Sequence, residues 1–171
     1  MRNILLGLIF VGVFVGCSNP KKDLTSKVSN LEKQVSTKYD PVKAKELVES
    51  YINYIEKYPT DSTSRLYMAK GCEMSILNND PDNALKFINQ FLKTYPDDRR
   101  AGLMQFKKAM VYDLLLHDGL RAVAEYEKFI EKYPNDPMRI EAENAVLLIK
   151  NPEAFMAAFT NQPDSTKVTT K

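Results

Sequence analysis

A short phrase ending in Tyr-Pro occurs three times in the sequence at almost constant spacing. The copies span residues 54–59, 91–96 and 129–134, which begin 37 and 38 residues apart, and an Asp stands two residues after each Pro. Self-similarity at this period is typical of repeat architectures, in which each copy folds as one supersecondary unit and buries its apolar face against its neighbours. The repeat therefore restricts the fold to a stack of similar units.

Apolar residues at fixed distances before each Pro indicate an amphipathic helix. Counted back from the Pro, the twelfth, eighth and fifth residues of the three copies are Leu47, Tyr51 and Tyr54; Ala84, Ile88 and Phe91; and Ala122, Tyr126 and Phe129. Steps of 4 and 3 residues place these side chains on one helix face. The Pro cannot continue the helix, and the Asp after it is suited to cap the next one. Each copy is thus predicted to be helix, turn, helix.

Pairs of a capping residue and Pro mark further helix starts, at Asp40-Pro41, Asp80-Pro81, Asp136-Pro137 and Asn151-Pro152. Pro suits the first helical turn, where its missing amide hydrogen has no partner to lose. The predicted helices are 41–58, 62–78, 81–95, 98–117, 119–133, 137–150 and 152–160. Residues 161–171 show no apolar periodicity, so we expect a disordered tail.

Residues 41–160 resemble a tetratricopeptide-type solenoid. The residues that match the second helix of that family are Ala84, Ala122, Tyr51, Tyr126 and the repeat-closing prolines, and the small packing positions of the first helices are Gly71 and Ala109. The resemblance implies an all-α, right-handed α-α solenoid of about three helix pairs that serves as a non-catalytic scaffold for a protein partner. The bulky residue five before the Pro is similar to the pattern of the Tol-Pal-associated coordinator and of the lipoprotein subunit of the barrel assembly machinery. The ending at 150–155 resembles that of short tetratricopeptide lipoproteins of Bacteroidota-type bacteria.

The first seventeen residues have the pattern of an export signal: a positive start, an apolar run from Ile4 to Val15, and Gly16-Cys17. The run of about 12 residues is shorter than the roughly 20 that a membrane-spanning helix needs, so cleavage after residue 16 is predicted. Residues 14–17 resemble the lipobox of bacterial lipoproteins, which implies acylation of Cys17; an ordinary secreted protein is the alternative. No acid follows Cys17 directly, which by the same resemblance favours the outer membrane, facing the periplasm, over surface display.

Residues 17–40 are polar, and their apolar residues, Leu24, Val28, Leu31 and Val35, follow heptad steps of 4, 3 and 4. We expect a lipidated polar tether. A short coiled coil that makes oligomers is the alternative, although two heptads are fewer than a convincing coiled coil needs.

Composition argues against most kinds of chemistry. The formal net charge of +2 gives no electrostatic reason to expect nucleic acid as a partner. His117 is the single histidine, and with one internal cysteine, Cys72, the chain cannot build a His/Cys metal cluster. We expect Cys72 to be a small buried side chain, and we expect no catalytic residue, no metal and no cofactor. A hydrolase or small-ligand-binding lipoprotein on the same scaffold is the alternative, which a polar pocket with shifted carboxyl pKa values would favour.

Four basic residues on the predicted helix 98–117 suggest a partner-binding surface: Arg99, Arg100, Lys107 and Lys108. Steps of 7 and 8 residues from Arg100 put three of them on one side of the helix. The hypothesis is a basic strip that attracts an acidic peptide; the alternative is a solvated face with no partner.

Overall fold

The computed structural model describes residues 19–160, and within that range it is entirely helical, without strands. The helices are α1 (Pro20–Thr37), α2 (Pro41–Lys57), α3 (Ser62–Leu77), α4 (Pro81–Thr94), α5 (Ala101–Met110), α6 (Gly119–Lys132), α7 (Arg139–Lys150) and α8 (Pro152–Thr160). Consecutive helices pack on one another throughout, which confirms an α-α solenoid of helix pairs. The leader at 1–16, Cys17 and the tail at 161–171 lie outside the described residues.

The three Tyr-Pro turns share one geometry. At each, the Tyr follows the last residue of a helix with φ between −134° and −125° and ψ between 56° and 59°, and the amide of the Asp three residues later donates to the Tyr carbonyl oxygen at 3.1 Å. The Asp carboxylate then accepts the amide two residues further on, at 2.9 Å in all three copies. The residues concerned are Tyr58, Tyr95 and Tyr133 with Asp61, Asp98 and Asp136. The repeat seen in the sequence is therefore a repeated turn.

The capping Asp does not always begin the helix at the predicted residue. Asp61 is followed at once by α3, as expected, but α5 begins at Ala101 and α7 at Arg139. In both later turns the carboxylate caps a tight turn that precedes the helix, because the amide it accepts belongs to a residue outside the helix. The predicted starts at 98 and 137 are thus three and two residues early.

The expected tether at residues 17–40 is wrong for the part that the structure describes. Residues 20–37 form the regular helix α1, which packs on α2 and buries Val28, Leu31 and Val35. The apolar residues with heptad steps face α2 and the core of the same chain, so the coiled-coil alternative is not needed to cover them. With α1, the described residues contain four helix pairs rather than about three: α1–α2, α3–α4, α5–α6 and α7–α8.

The predicted apolar positions form the core. All nine side chains counted back from the prolines are at most 3% exposed. Gly71 and Ala109 lie where first helices pack closely, as expected for small residues. A Cβ on Gly71 would lie only 2.5 Å from Cζ of Phe87, and Ala109 is fully buried. Two apolar clusters result, one centred on α1–α4 and one on α5–α7.

The predicted helix 98–117 is interrupted near its end. After α5, residues Val111–Leu115 form a π-helical turn, and His117 follows with a φ of 51°. The sequence contains the reason: Asp80 follows Asp61 by 19 positions, whereas Asp118 follows Asp98 by 20. A π-turn accommodates one additional residue in a helix. The segment between the two Asp residues is therefore one residue longer in the third pair than in the second, and the π-turn accommodates that residue.

We expect His117→Gly to stabilise the fold, because a left-handed conformation costs a residue with a Cβ roughly 1–2 kcal/mol. Part of that gain is offset by the greater freedom of Gly in the unfolded chain, so a net gain of about 0.5–1 kcal/mol in the free energy of unfolding is expected. Urea unfolding measures it. Asn79→Gly is the matched control, because Asn79 has a φ of 55° at the corresponding turn but Asn tolerates that conformation well. Equal gains in both variants would contradict the explanation.

Candidate functional site

A groove lies between α1 and α3, with α2 beneath it. It has a volume of about 800 Å³. Its apolar lining is Val35, Tyr39, Leu47, Tyr51, Met74 and Leu77, and its polar lining is Ser29, Glu32, Lys33, Ser36, Lys70 and Glu73. We call this site the α1–α3 groove. Its size and its mixed lining suit a short peptide segment or a few side chains of a partner.

Ion pairs connect the first helices of successive pairs along this side of the molecule. The Glu32 carboxylate of α1 accepts from Lys70 Nζ of α3 at 2.9 Å, and Glu73 of α3 accepts from Lys107 Nζ of α5 at 2.8 Å. Lys70 and Lys107 occupy the same place in their repeats, 37 residues apart. These partly exposed pairs contribute little stability, of the order of 0–1 kcal/mol each. They neutralise three charged residues of the groove wall within the chain, Glu32, Lys70 and Glu73.

Tyr51 makes the floor of the groove polar at one point. The Tyr51 hydroxyl donates to Glu32 at 2.7 Å, and its ring contacts that of Tyr67 with centroids 5.0 Å apart. Burial raises the pKa of Tyr51 well above its ordinary value, helped by the Glu32 carboxylate, and burial raises the pKa of Tyr67 to about 12. Both phenols therefore stay protonated near neutral pH, where Tyr51 holds Glu32 in place at the groove.

The internal cysteine belongs to the core beneath this site. Cys72 is fully buried, and burial raises the pKa of its thiol to about 12. A thiol in this state is a poor nucleophile, because only the thiolate reacts readily. The expectation that Cys72 is a small buried side chain is confirmed.

The four basic residues proposed from the sequence do not form a free strip. Lys107 pairs with Glu73 of α3, whereas Lys108 pairs with Glu125 of α6 at 2.9 Å, so these neighbours reach different helices. Arg100 pairs with Asp98 in its own turn. Arg99 is exposed, and with Arg65, Asp97, Asp98 and Arg100 it lines a separate polar cleft beside the α4–α5 turn. Helical spacing predicted that Arg100, Lys107 and Lys108 share one side, but spacing within one helix does not reveal that acids of other helices pair with Lys107 and Lys108.

The carboxyl groups with shifted pKa values lie at caps and ion pairs outside the groove. A hydrogen bond from Lys21 lowers the pKa of Asp61 well below its ordinary value, and the backbone amides of Arg100 and Arg121 lower those of Asp98 and Asp118. Burial opposes ionisation of Glu125, but hydrogen bonds from Lys108 and Gln105 outweigh it and lower its pKa. Each of these shifts keeps a carboxylate charged for a structural contact. Residues 19–160 hold no group of three or more His, Cys, Asp or Glu arranged to bind a metal ion.

The groove was not predicted from the sequence, because one of its walls is α1, the segment for which a tether was expected. The signal was present in the heptad-like steps from Leu24 to Val35, which indicate a helix with one apolar face. Treating that segment as a tether removed Ser29, Glu32, Lys33 and Val35 from consideration as site residues.

Comparison with known families agrees with the geometry in the third helix pair. A tetratricopeptide repeat model matches residues 104–136, which cover most of α5, the π-turn, α6 and the Tyr-Pro turn after it. No curated protein is significantly similar to the chain. No helix within residues 19–160 has both the length and the apolar content to cross a membrane. Residues 104–136 are thus similar to a tetratricopeptide repeat, a kind of domain that generally binds protein partners, and they lie within an α-α solenoid of helix pairs.

Lys108→Glu should destabilise the protein, because it places a second carboxylate beside Glu125 where both side chains are only 16% exposed. We expect a loss of about 1–3 kcal/mol in the free energy of unfolding. Arg99→Glu, the same charge change on an exposed residue of the same repeat, should stay within about 0.5 kcal/mol. Thermal and urea unfolding measure both. Unchanged stability of Lys108→Glu would mean that the pair with Glu125 does not form.

Proposed function

We propose that this protein is a lipid-anchored interaction scaffold of a bacterial cell envelope. In this proposal Cys17 is acylated and holds the solenoid on the outer membrane, facing the periplasm, where the α1–α3 groove binds a segment of a partner protein. The observation that carries it is the groove itself, an open site with an apolar floor on a fold whose third helix pair matches a protein-binding repeat.

The anchor is supported by the leader and by its distance from the fold. The apolar run and the lipobox-like residues 14–17 precede a polar Ser18-Asn19, and α1 begins at Pro20, three residues after Cys17. Three extended residues span at most about 10 Å. Acyl chains on Cys17 would therefore keep the first helix pair close to the membrane surface. Several chains on one residue bind lipid far more strongly than one, since each buried methylene contributes about 0.8 kcal/mol.

Partner binding is supported by the exposed apolar surface at the groove. Leu77, at the end of α3, is 62% exposed, and Tyr39, opposite it, is 45% exposed. Since the wall charges Glu32, Lys70 and Glu73 are paired within the chain, the groove offers a partner mainly apolar area. Coordination of envelope processes fits a solenoid of this size better than a subunit of an outer-membrane protein assembly machine.

Cys17→Ala should leave the chain unacylated and move it from the membrane fraction to the soluble fraction or to an unprocessed precursor. Detergent-phase partitioning with metabolic labelling by a fatty acid measures both effects. Cys72→Ala is the matched control, because it removes the other cysteine and should leave acylation and partitioning unchanged. Retention of the Cys17 variant in the membrane would contradict the proposed anchor.

A photo-crosslinking residue placed at Ser36, an exposed position of the groove, should trap a defined partner in intact cells. The same residue placed at Lys128, an exposed position of α6 remote from the groove, should not trap it. Western blotting for a single shifted species and mass spectrometry of the crosslinked segment provide the readout. Equal trapping at both positions would contradict the groove as the binding site.

A further inference from the structure

The turns of the solenoid fall on two edges, because successive helices are antiparallel. The turns within pairs, at residues 38–40, 78–80, 116–118 and 151, form one edge, which we call the distal edge. The turns between pairs, at residues 58–61, 95–100 and 133–138, form the opposite edge, which we call the anchor edge. The start of α1 lies on the anchor edge, since Lys21 pairs with Asp61 in the turn between α2 and α3.

Exposed apolar side chains are concentrated on the distal edge. Six of them lie in or within four residues of its first three turns: Tyr39, Val42, Leu77, Leu114, Leu116 and Leu120. Leu147 and Leu148 precede the fourth turn. Val42 and Leu120 are 79% and 88% exposed, each at the second residue of a second helix. Near the anchor edge the exposed apolar residues are Ile140, two residues after a turn, and Leu66, five residues after one. Single exposed apolar residues are ordinary, but a contiguous set along one edge is typical of an interaction surface.

The spacing of this apolar edge selects the conformation of a partner. Each of these three turns presents at least one apolar side chain, and the first two turns are adjacent, because the Tyr39 hydroxyl donates to the Asn78 side chain at 2.6 Å. Helices that are in contact in this way lie about 8–10 Å apart. A partner helix that lies along the edge presents a side chain on the same face every seven residues, or about every 10.5 Å. An extended strand returns a face every two residues, or about 6.7 Å, which does not match. Polyproline helices match in pitch, but they are bound by aromatic-lined grooves, and Tyr39 is the single aromatic among these six residues.

The charge at the first distal turn indicates which end of a partner helix would lie there. Lys33, Lys38 and Lys43 line a cleft at the first distal turn together with a single acid, Asp40. The Asp40 carboxylate is already used, because it accepts the amides of Val42 and Lys43. The first turn is therefore locally positive, and acidic residues at one end of a partner helix would complement it.

The orientation of the edges distinguishes a protein from a lipid surface as the occupant, and this step rests on the proposed anchor at Cys17. The 18 residues of α1 extend about 27 Å from the anchor edge to the distal edge. An acyl chain three residues before α1 holds the anchor edge at the membrane and leaves the distal edge far beyond the headgroups. The exposed leucines of the distal edge cannot then be covered by that membrane.

We propose that the distal edge is a docking surface for an amphipathic helix of a partner protein, with an apolar residue at every seventh position and acidic residues at the end that faces α1. The helix lies across the first three turns, and its first apolar side chain enters the mouth of the α1–α3 groove beside Tyr39 and Leu77.

The test uses the full chain in lipid nanodiscs and a synthetic probe helix of about three heptads. The probe carries one Leu per heptad and Glu at one end, and a control peptide of the same composition distributes its Leu residues around the helix. Fluorescence anisotropy should show binding of the probe, with empty nanodiscs as the blank. Leu77→Glu and Leu120→Glu should each weaken the Kd about tenfold or more, because each replaces buried apolar area by a charge.

Leu66→Glu and Ile140→Glu on the anchor edge are the matched controls, and they should change the Kd by no more than about twofold. Lys38→Glu should weaken binding and reduce its dependence on salt.

Three results would each overturn the proposal: equal binding of the probe and control peptides, an equal loss of affinity in the anchor-edge variants, or binding of a Pro-rich peptide in place of the probe. A dimer of the chain that Leu77→Glu dissociates would identify a second copy as the occupant and overturn it as well.

If the probe helix does not bind but crosslinking from Ser36 in cells persists, the helical partner is rejected and the proposed scaffold function is retained. Loss of crosslinking at Ser36 together with membrane retention of Cys17→Ala would reject the proposed function, whatever the probe does.

Discussion

The carboxylate that follows each Tyr-Pro turn determines how one helix pair passes to the next. Asp61 accepts the amide of Thr63 and the hydroxyl of Tyr54, and it pairs with Lys21 from the preceding first helix. Asp98 repeats the arrangement with the amide of Arg100 and with Arg65 of α3 at 3.0 Å. One side chain thus closes a turn and connects two successive first helices, which fixes their relative position.

In the third copy of this turn, at Asp136, the preceding first helix has no basic residue at the position that Arg65 occupies in α3. Gly102 occupies the place in α5 that Arg65 occupies in α3, four residues after the capping Asp. A Cβ at Gly102 would lie 3.0 Å from Oδ2 of Asp136, so the carboxylate approaches the backbone where a side chain would otherwise stand. Because the fold lowers the pKa of Asp61 and of Asp98, their contribution to stability is present at neutral pH and is lost as the pH falls through those lowered values.

Local signals in the sequence determined most of the fold, and tertiary contacts determined the rest. The helices before each Pro could be predicted because Pro, the capping Asp and the 4-and-3 spacing all act within one helix or turn. The π-turn in the third repeat could be located only by comparing the distance from Asp61 to Asp80 with that from Asp98 to Asp118. Helix α1 was missed since its short apolar stripe becomes meaningful only when α2 is present to cover Val28 and Leu31.

The charge of the surface around α5 likewise depends on tertiary contacts and not on the sequence of one helix. A helical wheel for residues 98–117 shows where Lys107 and Lys108 point, but their electrostatic state depends on Glu73 and Glu125, which other helices supply. Once those pairs form, long-range attraction of an acidic partner by α5 is weak, because each positive charge is balanced within a few ångströms. Selectivity then depends on apolar area and on the step between repeats, both of which are set by the turns. For the docking surface that we propose, recognition would therefore rest chiefly on shape and spacing, and the lysines around the first distal turn would set the direction of the partner helix.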